Sequence, residues 1–123
     1  MEVRVEVRSF RDLIVWQKSI QLATKTYLFT RDLPSDEIYG LSSQLRRSAV
    51  SVASNIAEGQ GRLSTGEFRQ FLGMARGSNF ELQTQLEVAK ALNMGNRKAL
   101  DDADAISHEV GKMIYAILEK LKD

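Results

Sequence analysis

Apolar residues along this chain recur at intervals of three and four almost from end to end, the spacing that gathers them on one face of an α-helix. Short breaks divide the pattern into four stretches. The first starts at Ser9, whose hydroxyl can cap a helix while Asp12 favours its positive end, and its apolar stripe is Leu13, Trp16, Ile20, Ala23 and Tyr27. Arg31 to Ser35 forms a connection, because Pro34 biases Leu33 away from helical geometry and Ser35 can cap the next helix. That second helix carries Asp36 and Glu37 in its first turn and Ile38, Leu41, Leu45, Val52 and Ile56 as its stripe, and Gly59 and Gly61 end it. Ser64-Thr-Gly-Glu67 is a capping-box pattern that opens the third, whose buried face is Phe68, Phe71, Leu72, Ala75, Leu82, Leu86 and Ala89. Asn93 to Asn96 stops that helix and caps a fourth, with the stripe Leu100, Ala103, Ile106, Val110, Ile114, Ile117 and Leu121. Short connections make neighbours antiparallel, and rods of roughly 30 to 45 Å result from about 1.5 Å of rise per residue. The pattern predicts an all-α, antiparallel up-down-up-down four-helix bundle over residues 10–123.

Two features exceed an isolated bundle. Residues 2–8 alternate strictly, with Val3, Val5 and Val7 on one side and charged residues on the other, which is strand periodicity. Residues 1–9 are therefore expected as an extended arm, either a frayed tail or a strand pairing with another subunit's arm. Helix two is small-sided nearly all round, through Ser42, Ser43, Ser48, Ala49, Ser51, Ala53 and Ser54, and helix three contains Gly73 and Gly77 on one face. Interior glycines cost about 1 kcal/mol each relative to alanine, so close packing is expected there, within the bundle or, as we favour, against a neighbouring protomer.

Composition removes several classes of chemistry. The 123 residues include no cysteine and a single histidine, His108, so disulfides, thiolate metal sites and clusters of imidazole ligands are excluded. No glycine-rich phosphate loop, nucleophile elbow or metal-ligand motif is present, and no cofactor is implied. His108 lies on a polar helix and is expected to face water. No apolar run resembles a signal peptide or approaches the roughly 18 residues of a membrane span, so a soluble, cytoplasmic protein is expected.

The net charge of +1 is uninformative, but its distribution is not. Toward the C-terminus each base has a carboxylate three or four positions away: Lys90 has Glu87, Arg97 and Lys98 have Asp101 and Asp102, Lys112 has Glu109 and Lys122 has Glu119. Arg46, Arg47, Arg69 and Arg76 have none, and Arg62 has only Glu58, across the glycine break. Residues 41–80 thus carry a formal +3 and residues 81–123 a formal −2. Arg69 and Arg76, seven apart, project from nearly the same side of helix three, with Arg46 and Arg47 on the antiparallel helix two. Arginine suits bidentate contacts to phosphate or carboxylate. Such a basic middle, repeated by oligomerisation, could hold a nucleic-acid backbone; equally, the arginines could pair with Glu37, Glu58 or Glu81 across helices or subunits. A polar stripe of Arg47, Ser51, Asn55 and Glu58 also runs along helix two, but without a substrate pocket it reads as a hydrogen-bonded helix end and not as a catalyst.

Several blocks, taken together, resemble the four-helix bundle proteins of the 23S rRNA intervening-sequence family. They are Phe10 through Trp16, Glu37-Ile-Tyr-Gly-Leu41, Gln44-Leu-Arg-Arg47, Ser54-Asn-Ile-Ala-Glu-Gly59, Phe68-Arg-Gln-Phe-Leu72 and Ala75-Arg-Gly-Ser78 with Glu81. The match runs from about Phe10 to Leu92. The resemblance implies a four-helix bundle assembled as a ring-like homopentamer, and it is similar in build to accessory proteins of diversity-generating retroelements, which associate with nucleic acid and a reverse transcriptase. By position it singles out Arg46, Arg47, Ser51, Asn55, Glu58 and Gly59 on helix two and Gly77, Ser78 and Glu81 on helix three. Many relatives have proline where Ala53 stands and several have glutamate where Gln83 stands, so helix two is expected to lack a kink and the second carboxylate is missing here.

These observations together lead us to expect a non-enzymatic, homo-oligomeric nucleic-acid-binding protein, RNA being the first class considered, with Arg46, Arg47, Arg62, Arg69 and Arg76 on the phosphate backbone. The alternative is an oligomeric protein-interaction scaffold with the same arginines in subunit interfaces. An enzymatic reading would rest on Glu58 and Asn55 alone.

Overall fold

A computed structural model describes residues 9–37 and 40–122; residues 1–8 of the arm expected over 1–9 and the stripe position Ile38 lie outside them. A short 3-10 turn at Phe10–Asp12 precedes α1 (Ile14–Arg31), a second at Ser35–Glu37 precedes α2 (Leu41–Gln60), and α3 (Thr65–Ala91) and α4 (Arg97–Lys120) complete the chain. No strand occurs among the described residues. Each helix packs on two neighbours, α1 and α3 both lying between α2 and α4, with the diagonal pairs apart. This is the expected antiparallel four-helix bundle.

Local chemistry explains where each helix begins. Ser9 Oγ accepts from the Arg11 amide at 3.2 Å, but it caps the 3-10 turn; Leu13 is extended (ψ 124°), so α1 starts five residues after Ser9. Ser35 likewise opens only a single turn. α2 starts at Leu41, where Glu37 Oε2 accepts from the Leu41 amide at 3.0 Å, and a Cβ on the intervening Gly40 would stand 2.9 Å from that same oxygen. Ser64 caps α3 as expected, accepting from the Glu67 amide and donating to Glu67 Oε1, both at 3.1 Å. Asn96 Oδ1 accepts from the Ala99 amide at 2.9 Å to open α4. Before it, Asn93 (φ 54°) and Gly95 (φ 74°) reverse the chain, and Gly95 lies so close to Phe29 that a Cβ would meet its ring at 2.7 Å. α2 runs unbroken through Ala53.

The expected inward stripe of α1 is wrong in phase. The residues that enter the core are Val15, Leu22 and Phe29, with Ser19, Thr26 and Thr30 between them; Leu13, Trp16 and Ala23 only flank it, and Ile20 and Tyr27 are exposed. The hydroxyls hide in the core by bonding to their own helix: Ser19 Oγ donates to Trp16 O, Thr26 Oγ1 to Leu22 O and Thr30 Oγ1 to Tyr27 O, at 2.7, 2.8 and 3.0 Å. α1 thus carries two apolar faces, and only one is covered.

The glycines also differ from expectation. Gly59 does not end α2 but lies buried in its last turn, where a Cβ would stand 2.8 Å from Phe71 Cβ and 3.1 Å from Phe68 Cδ1; Gly61 is the terminator. Gly73 and Gly77 are exposed, and a Cβ on either meets nothing within 4 Å, so no close packing within the chain requires them.

Polar pairs set helix register. Between α3 and α4, the buried Asn79 donates from Nδ2 to Ser107 O at 2.9 Å and accepts at Oδ1 from Ser107 Oγ at 2.7 Å, while Gln83 Nε2 donates to Ser107 Oγ at 3.0 Å. No buried side-chain polar atom among the described residues lacks a partner.

Gly59→Ala is expected to lower stability by about 1 to 2 kcal/mol, since overpacking outweighs the gain in helix propensity, whereas Gly73→Ala should raise it by about 0.5 to 1 kcal/mol; urea midpoints measure both. Asn79→Ala should destabilise by about 1 to 3 kcal/mol, and a double-mutant cycle with Ser107→Ala should show coupling between the two sites.

Candidate nucleic-acid interface

The five arginines do not gather into one patch on the chain. Arg46, at the α1 edge of α2, donates from Nε to Thr30 Oγ1 at 2.8 Å and lays its guanidinium 4.8 Å from the centre of the Tyr27 ring. Arg47, one residue on, is exposed. Arg62 is held at the α2–α3 corner, its Nη2 2.8 Å from Glu58 Oε2, its Nη1 3.9 Å from Glu67 Oε2, and its guanidinium over Phe71 at 4.5 Å. Glu58 is therefore the one expected carboxylate partner that the chain supplies. Arg69 and Arg76 lie on the opposite flank of α3, facing α4.

Arg69 and Arg76 line an open hollow of about 570 Å³ between α3 and α4, with Gly66, Gly73 and Gln70 on the same wall and Tyr115, Leu118 and Glu119 across from them. A second hollow of about 320 Å³ continues it, sharing Arg76 and Tyr115 and adding Phe80, Gln83, His108 and Lys112. Neither Arg69 nor Arg76 makes an ion pair among the described residues; Arg76 instead rests 5.1 Å from the centre of the Phe80 ring. Lys112 also lacks its expected partner, because Glu109 turns to Lys18 of α1 at 3.4 Å. Three cations thus face the groove, and Glu119 is the carboxylate that lines it. Of the other expected surface pairs, Arg97 to Asp101 at 3.3 Å, Lys98 to Asp102 at 3.1 Å and Lys122 to Glu119 at 3.8 Å form, whereas Lys90 and Glu87 make no ion pair among the described residues. His108 is exposed, 3.5 Å from Asp104.

The remaining positions that the resemblance singles out, Gly77 apart, lie along the seam between α2 and α3. Ser51 Oγ and Ser78 Oγ are 2.8 Å apart, and Asn55 Nδ2 donates to both the carbonyl and the hydroxyl of Ser51 at 2.9 and 3.0 Å. One turn back, Ser48 Oγ lies 2.7 Å from Gln85 Oε1 and 3.1 Å from Glu81 Oε1. Gly59 closes the seam against Phe71, while Gly77 faces outward. Ser48 and Ser51 bond across to α3, Asn55 holds Ser51 from within α2, and none of Asn55, Glu58 and Ser51 lines the α3–α4 hollows. Sequence reasoning missed Tyr115, Phe80 and Lys112. Arg76 and Phe80 are four apart and hence neighbours on a helix, and Tyr115 is an aromatic on the polar flank of an otherwise clean stripe; those were the available signals.

No helix among the described residues is long and apolar enough to cross a membrane, and no group of three or more potential metal ligands occurs among them. No curated protein matches the chain closely enough to count as a relative. Among solved structures, the bundle is similar to the 1.70 Å crystal structure of a protein of unknown function from the S23 ribosomal protein family of Bacteroides thetaiotaomicron VPI-5482. The TM-score is 0.76 at 24% identity, over 85% of this chain and 98% of that one, a likeness of fold. The model of the 23S rRNA-intervening sequence protein family matches residues 11–116, which take in helices α1 to α3 and α4 as far as Ala116. The chain belongs to the 23S rRNA-intervening sequence protein family.

Proposed function

We propose that this protein is a non-enzymatic, homo-oligomeric nucleic-acid-binding protein that grips phosphates with Arg69 and Arg76. The observation that carries this reading is the pair of arginines on one wall of an open groove, without a carboxylate partner among the described residues, continued by Lys112. An arginine that is neither paired nor buried has little structural use, and its planar fork matches phosphate oxygens. The association of the family with 23S rRNA intervening sequences makes RNA the first class to test.

Self-assembly is supported by α1. Ile14, Ile20, Tyr27 and Leu28 leave between 39% and 64% of their surface exposed on a helix whose other face already fills the core. Large apolar residues grouped on an uncovered face mark an interface, and a second copy of the chain, in a ring of five as in the family pattern, would cover them. Arg46, fixed against Tyr27 and Thr30 beside this face, favours a second reading for itself and Arg47, that of contacts between subunits or to a protein partner.

Anisotropy titration of the purified oligomer with labelled RNA should show affinity falling linearly with salt on logarithmic axes, by about 0.7 per phosphate neutralised on a single strand. The Arg69→Ala, Arg76→Ala variant is expected to lose affinity and about 1.4 of that slope; unchanged binding by a correctly assembled variant overturns the assignment. Ile20→Lys should reduce the mass measured by light scattering to that of smaller species. If Arg46→Ala, Arg47→Ala does the same while the groove variant stays assembled, those two arginines are interface residues.

A further inference from the structure

We infer that the α3–α4 groove takes a single strand, with bases stacked on Tyr115 and Phe80 while Arg69, Arg76 and Lys112 hold the backbone. The inference rests on the nucleic-acid reading above and adds what form the nucleic acid has. Phosphate binding alone would call for cations and no aromatic platform. Here the cations share a concave groove with two exposed aromatic rings, Phe80 at 48% and Tyr115 at 56%. Neither ring contributes to the core, and each offers a π-face that only an unpaired, unstacked base can use. Arg76 connects the two kinds of contact, since it lines both hollows and lies over Phe80.

The glycines supply an independent observation. Gly66 and Gly73 stand on the arginine wall with nothing within 4 Å of the Cβ they lack, so this chain's own packing does not require them. Glycine in a helix is retained against its backbone entropy where something must approach closely. Between Arg69 and Arg76 that bare wall lets a sugar or base come against the helix backbone. From Thr65 to Gln83 the lined wall runs about 27 Å at 1.5 Å per residue. That length accommodates a site of at least about four nucleotides, the lower end for single-strand grooves. Glu119 faces the same hollow and opposes phosphate near the Leu121 end, which places the strand's backbone along the α3 side.

The test compares three labelled probes of equal length on the intact oligomer: a single-stranded RNA, the same sequence as a duplex, and a single strand with abasic positions throughout, which keeps the phosphates and removes the bases. The base-bearing strand is expected to bind at least about tenfold more tightly than the abasic one, and Tyr115→Ala should narrow that difference by weakening the base-bearing strand. Gly73→Leu, which fills the groove from a position where a Cβ meets no atom of the chain, should weaken binding of the base-bearing strand with helicity and oligomer mass unaltered. Equal affinity for abasic and base-bearing strands, preference for the duplex, or full binding by Gly73→Leu overturns the inference and leaves the phosphate-binding reading standing. If none of the three probes binds at low salt, the nucleic-acid reading fails, and the inference falls with it.

Discussion

A reciprocal pair of hydrogen bonds buried between α3 and α4 determines how the two walls of the groove face each other. Asn79 and Ser107 each donate to the other, one through an amide to a carbonyl and the other through a hydroxyl to an amide oxygen, and Gln83 completes the set. In a low-dielectric interior such polar groups must be satisfied, and any slide of one helix along the other would leave several unpaired at about 1 to 3 kcal/mol apiece. Apolar ridges tolerate more than one register; this cluster tolerates one. Gly111 keeps room for it, because a Cβ there would come within 3.3 Å of Asn79 Nδ2. With register set, Arg76 on one wall and Tyr115 on the other are brought to the same stretch of groove.

The two flanks of α3 therefore do different things. Toward α2 the side chains are small and hydroxylated, the helices approach closely, and the Ser51–Ser78 and Ser48–Gln85 contacts close the seam. Toward α4 long side chains stand on the rim, the buried Asn79 cluster bonds the two helices, and space is left on the outside. A closed, hydrogen-bonded seam thus lies on one side of α3 and an open groove on the other. The positions that the resemblance singles out on α2 and α3 lie largely in the closed seam, whereas Arg69, Gln70 and Arg76 of the groove fall inside the blocks that carry the resemblance without being singled out by it.

How far the molecule could be read from its sequence depends on what kind of signal each element carries. The inner stripe of α4 was legible, because Leu100, Ala103, Val110 and Ile114 are buried, Ile106, Ile117 and Leu121 of the same stripe pack half-buried at its margin, and Asn96 is an unambiguous cap. α1 was not, because apolar periodicity ranks residues by hydrophobicity and the inward face contains Ser19, Thr26 and Thr30, whose hydroxyls are satisfied by their own helix. The more apolar stripe of Ile20 and Tyr27 is the uncovered one. The absence of local carboxylates correctly marks Arg69 and Arg76 as lacking ion pairs within the described chain, but spacing within one helix carries no information about which neighbour that helix turns toward. Hence Arg46 and Arg69, expected together, lie on different flanks. Gly59 and Gly73 are identical as letters; only the Phe71 side chain behind one and the empty space behind the other separate a packing glycine from an exposed one.

The bare wall of α3 has a mechanical side as well. Gly66, Gly73 and Gly77 fall within its first half, each lowering helix stability by about 0.5 to 1 kcal/mol, whereas the half beyond Asn79 is bonded across to α4 and α2. Local opening is governed by such differences. Helix propensity is thus lowest over residues 66–77, where the buried Leu72 and Ala75 hold the helix to the core, and hydrogen bonds to the neighbouring helices hold it from residue 78 onward. In one half of the wall apolar packing works against the backbone freedom of the glycines, and in the other it is reinforced by bonds to both neighbouring helices.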